Sequence, residues 1–83
     1  MSEMRILIVE DDRDAADYLV MAFREVGHMA EVAHDGEEGL ARALEGEHDV
    51  MVVDRMLPRL DGLAMIGAAR AKGIETPVLI LSA

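Results

Sequence analysis

A chain of 83 residues, 52% of them hydrophobic, can build one small domain and leaves no room for a second core. Seventeen acidic residues against eight basic ones give a net charge of −9, which repels nucleic-acid phosphates and anionic membranes, and no local basic patch overrides it. The absence of cysteine excludes disulfide staples, one Tyr and one Phe exclude a base-stacking platform, and no apolar run reaches the ~18 to 20 residues that cross a bilayer.

The start Met-Ser-Glu-Met-Arg has no apolar secretory region, so a cytoplasmic domain is expected. Arg5-Ile-Leu-Ile-Val9 is a β-branched apolar run that stops at three acids, as a strand buried on both faces reads. From Asp14 the residues Ala16, Leu19, Val20, Phe23 and Val26 recur every three or four positions, with Gly27 placed to cap a helix. Met29 to Ala33 is a more polar strand. Asp35-Gly-Glu-Glu38 then offers an N-cap acid with a carboxylate three residues on, opening a helix to about Glu45 that buries Leu40, Ala43 and Leu44.

Val50-Met-Val-Val53 is a second fully apolar run ending in an acid, Asp54, followed by Pro58 and the turn pair Asp61-Gly62. Leu63, Ile66 and Ala69 give the next helix an apolar stripe, Arg70 keeps its charged head in water, and Gly73 closes the helix. Pro77 to Ala83 reads as a fourth strand. Strands alternating with helices imply an α/β domain with a doubly wound parallel sheet. If the first and third strands are neighbours in a 2-1-3-4 order, their acidic ends meet where the winding reverses, the place such sheets bind ligands.

Carboxylates gathered at one sheet edge repel one another unless a cation compensates. Mg²⁺ suits the position, since it prefers oxygen ligands and takes one or two carboxylates together with phosphate oxygens. Asp11 and Asp54 can supply them. The loop after the first strand has three acids and no glycine, so it does not cradle phosphate through backbone amides. An acid at a strand end is ordinarily a helix cap or a solvated turn, and Asp54 gains its interest from Glu10, Asp11, Pro58 and Asp61-Gly62 in register with it. His28, His34 and His48 are scattered near element ends with no ligand spacing, and the seven methionines read as core filler.

Ile-Leu-Ile-Val-Glu-Asp-Asp at 6 to 12, Val-Asp-Arg-Met-Leu-Pro-Arg-Leu-Asp-Gly at 53 to 62 and Pro-Val-Leu-Ile-Leu-Ser-Ala at 77 to 83 together resemble the receiver domain of two-component response regulators. The Met-Leu-Pro variant looks most like the transcription regulators that carry a winged-helix output domain. The resemblance implies a flavodoxin-like fold and a phosphorelay function. Asp54 would accept a phosphoryl group from a sensor histidine kinase, and Mg²⁺ would be held by Asp11, Asp54 and the Met56 backbone carbonyl, with Glu10 acting through water. Ser82 would hydrogen-bond the phosphoryl group, and Ala83 would leave room for it. Asp12 falls outside the matched pair as a spectator, and Pro58 and Gly62 shape the loop. Such a domain is a phosphoacceptor and not a turnover enzyme.

The resemblance also implies a fifth strand ending in a lysine, and further helices, that residues 1–83 do not supply. The one lysine, Lys72, falls on the wrong side of the fourth strand to substitute. The expectation is therefore a partial receiver whose exposed fourth strand promotes self-association or exchange of elements between chains, with no direct binding of nucleic acid or membrane. The rival reading is a noncatalytic pseudo-receiver that only binds a partner. A Mg²⁺-dependent phosphatase fragment fits less well, because those enzymes usually place a second acid two residues after the nucleophile, where this chain has Met56.

Overall fold

A computed structural model describes residues 3–81. Four strands, β1 (Arg5–Val9), β2 (Met29–Ala33), β3 (Val50–Asp54) and β4 (Val78–Leu81), form one parallel sheet in the order β2-β1-β3-β4. Three helices, α1 (Arg13–Glu25), α2 (Gly36–Ala43) and α3 (Gly62–Ala71), connect them. None is long and apolar enough to cross a membrane.

Strand side chains alternate between two cores. Ile6, Ile8 and Val52 face α1 through Leu19, Val20 and Phe23. Leu7, Val9, Met51 and Val53 face Ala43 of α2 and Met65 and Ala69 of α3. With a helix layer on each side, the central strands can be apolar throughout, and Ile6 to Val9 are almost wholly buried.

Local chemistry sets the helix ends. Asp12 caps α1 by accepting from the N–H groups of Asp14 and Ala15. The helix closes on Gly27 at φ 91°, with Gly27 N–H donating to the Arg24 carbonyl and His28 N–H to that of Phe23. Asp35 caps α2 through Glu38 N–H. Glu38 returns its carboxylate to His34 N–H at 2.9 Å, one residue before the cap.

Four expectations need correction. Of the methionines read as core filler, Met51 and Met65 are buried, but Met4, Met21, Met29 and Met56 are exposed. The second helix stops at Ala43, and Leu44 is its exposed cap residue rather than part of the core. Val26 likewise lies past the end of α1 and is exposed. In α3 the buried face is Gly62, Met65 and Ala69, while Leu63 points outward. The reason is that Gly62 is pressed onto the main chain of Asp54 and Arg55, which rotates the helix so that Met65 faces the sheet. A Cβ at Gly62 would overlap the Asp54 carbonyl.

That contact yields a paired prediction. Gly62→Ala should destabilise the chain by about 1 to 3 kcal/mol, since backbone must move to admit the methyl group. Gly67→Ala, at an open position within the same helix, should stabilise it by roughly 0.5 to 1 kcal/mol. Urea denaturation of the two variants checks both signs.

Candidate functional site

Register brings the two acidic strand ends together. Val9 pairs with Val53 across the β1–β3 ladder, so the next residues, Glu10 and Asp54, leave the sheet side by side. Oxygens from Glu10, Asp11 and Asp54 all lie within 4.8 Å of one another, the one such grouping of three acidic, His or Cys residues among the described residues.

Their environments differ. Glu10 is buried at 7% exposure, Asp54 is half-buried and Asp11 is exposed. Glu10 accepts from Asp12 N–H at 3.1 Å, and Asp54 Oδ1 accepts from Met56 N–H at the same distance. Burial does most to push the Glu10 carboxyl above the ordinary carboxylate range; the Asp12 amide pulls the other way, and the adjoining Asp54 and Asp11 carboxylates add to the rise. Among the described residues no salt bridge neutralises any of the three. Uncompensated carboxylates at this spacing fit a hard divalent cation, which accepts oxygen ligands and keeps part of its water shell.

The other residues singled out in the sequence lie in different places. Asp12 spends its side chain on the α1 cap. Met56 lies in the turn after Asp54 with its side chain in solvent. Lys72 caps the far end of α3, on the order of 15 Å along the helix from the end that meets Asp54. Ser82 and Ala83 lie outside the described residues.

Two nearby residues escaped the sequence reading. His34 Nδ1 donates to the Glu10 carbonyl at 3.1 Å. Arg59 adopts a left-handed conformation, φ 71°, and its guanidinium lies 3.5 Å from Asp35 and 3.8 Å from Glu37. Together with Gly36 N–H donating to the Pro58 carbonyl, this ties the loop after Asp54 to the start of α2. Gly36 is required there because a Cβ would overlap the Leu60 carbonyl. No sequence signal marks Arg59; the Asp35-Gly36 pair marks a helix start but not the loop packed on it.

Comparison with known proteins agrees with this geometry. Residues 6–83 match the family described as response regulator receiver domain. The chain is 44% identical over 79 residues to the transcriptional regulatory protein PcoR of Escherichia coli, covering 95% of this chain and 35% of that protein. It therefore spans about a third of such relatives. The receiver domain of the Francisella response regulator 1452 superposes with a TM-score of 0.93 at 38% identity, covering 98% of this chain and 67% of that one. The receiver domain of the sensor histidine kinase PA1611 from Pseudomonas aeruginosa PAO1, solved with a magnesium ion coordinated in its active-site cleft, superposes with a TM-score of 0.93 at 26% identity, covering 99% and 69%. With four parallel strands in the flavodoxin-like order and the family's sequence along nearly its whole length, this chain belongs to the response-regulator receiver domains.

Proposed function

We propose that this receiver accepts a phosphoryl group on Asp54 from a sensor histidine kinase, in a Mg²⁺-dependent step, to control a transcription output domain outside residues 1–83. The convergence of Glu10, Asp11 and Asp54 at the ends of two adjacent strands carries this reading. Asp11, Asp54 and the Met56 carbonyl would hold the ion, with Glu10 acting through water, and the magnesium in the PA1611 receiver supports the choice of metal. When bound, Mg²⁺ would supply positive charge that offsets the repulsion between the acidic side chains and an incoming phosphoryl group.

The chain's own residues supply positioning. Met56 N–H donates to Asp54 Oδ1 and so restrains the carboxylate. An Asp54 oxygen attacks phosphorus in line, the phosphorus–nitrogen bond of the donor phosphohistidine breaks, and its electron pair returns to the imidazole. The product is an acyl phosphate on Asp54, and Ser82 would hydrogen-bond its oxygens. Asp54 is consumed as acceptor, so the domain acts as a switch and not as a turnover enzyme.

The described elements correspond to about two thirds of the solved receivers, which supports reading residues 1–83 as a partial receiver. On β4 the side chains of Leu79 and Ile80 are 60% and 48% exposed. An apolar outer strand of this kind favours self-association or exchange of elements.

Asp54→Asn should abolish labelling by acetyl phosphate, and Asp11→Asn should weaken Mg²⁺ binding by about tenfold or more. Labelling retained by Asp54→Asn would instead favour a module whose acidic site is vestigial. Light scattering over a concentration series should show association that Leu79→Lys reduces. Glu10 also gives a pH dependence. A carboxyl raised in the folded state binds its proton more readily folded than unfolded, so its contribution is greatest at low pH and is lost as pH rises through the folded value. In chelator, the thermal stability of Glu10→Gln relative to the parent should therefore increase from about pH 4 to about pH 8, and Mg²⁺ should narrow the gap.

A further inference from the structure

One side chain at the β2–α2 junction is aimed at the main chain that carries the acidic cluster. Val9 pairs with Ala33, so the parallel ladder sets Glu10 opposite His34. Glu10 N–H donates to the Ala33 carbonyl at 3.0 Å, as that register requires. Were β2 to continue, the N–H of residue 35 would donate to the Glu10 carbonyl in return. The strand stops at Ala33 instead, and Asp35 turns to cap α2.

His34 fills the place of the lost donor, with Nδ1 3.1 Å from the Glu10 carbonyl. A carbonyl only accepts, so Nδ1 carries the proton. Nε2 lies 3.4 Å from an Arg13 guanidinium nitrogen, which only donates, and the two contacts together select one tautomer. The histidine is itself held, because its N–H donates to Glu38 and Glu38 N–H donates to Asp35.

We infer that His34 is a positioning residue for the cation site. Its Nδ1–H restrains the peptide plane between Glu10 and Asp11, and with it the main-chain positions from which both side chains leave. The inference rests on the metal-site reading given above and adds a residue that touches neither ion nor phosphoryl group. Groups that orient metal ligands in this way typically change metal affinity by about 10- to 100-fold when removed.

His28 provides an internal control. At the opposite end of β1 its Nδ1 accepts from Met4 N–H at 3.0 Å, so it too finishes the β1–β2 ladder, but away from the carboxylates. The side-chain amide nitrogen of Asn occupies the place of imidazole Nδ1, whereas that of Gln reaches only the place of Nε2. Calorimetric Mg²⁺ titration of the chain and its variants, with metal-free thermal melts alongside, decides the matter.

His34→Asn should bind Mg²⁺ within about twofold of the parent, while His34→Gln and His34→Ala should bind about tenfold more weakly. His28→Ala should lower the melting temperature without changing Mg²⁺ affinity. If His34→Gln binds like the parent while Asp11→Asn does not, His34 merely finishes the ladder and the inference is overturned, with the metal site intact. His34→Asn weakened as much as His34→Gln overturns it too, since the donor would then not be what matters. Should the Ala variant fail to fold, the Asn and Gln pair still decides. Parent-like binding by Asp11→Asn, or no binding by the parent, removes the metal-site reading itself.

Discussion

Parallel pairing of β1 with β3 in a single register, Val9 against Val53, sets Glu10 and Asp54 at the same height beyond the sheet. A slip of one residue would exchange the side chains that fill the two cores, so the close packing of each core enforces the register. The acids themselves are not favoured in this arrangement. Glu10 is buried, its neighbours are anionic, and its carboxyl is pushed up in consequence. The fold thus spends part of its core stability on holding like charges together, a cost that a bound cation would offset.

A second set of contacts converts this convergence into a shaped site. The β2–α2 junction grips both strand ends: Ala33 and His34 hold the backbone of Glu10, while Gly36 and Asp35 hold Pro58 and Arg59 in the loop that follows Asp54. The ion pair to Arg59 is exposed and contributes little on its own. Its left-handed backbone and the close approach of Gly36 are the stronger constraints, because they leave the loop few alternative paths. The acids on two different connections are in this way referred to one β2–α2 junction.

Much of this was legible in the residues. Apolar runs ending in acids marked β1 and β3, and the alternation of strand and helix gave the parallel sheet, while its order matched the fold that the family resemblance implied. Asp12, Asp35 and Asp61 stand at the three helix starts because short acidic side chains satisfy free N–H groups there. The face of α3 was not legible: Leu63, Met65, Ile66 and Ala69 are all apolar, so periodicity fits more than one orientation, and the packing of Gly62 decides. His34 and Arg59 were equally hidden. Their contacts arise where a ladder ends and where one loop lands on another helix, and neither event leaves a periodic trace.

On the proposed reading, the ends of β1 and β3 would share one divalent ion. Paramagnetic Mn²⁺, added in small amounts to isotopically labelled protein, tests this directly through line broadening of backbone amides. Broadening that begins at residues 10–12 and 54–56 and spreads outward only at higher metal would bear the account out. Broadening that starts on other acidic surfaces, such as Glu37 or Glu47, with the strand ends spared, would contradict it.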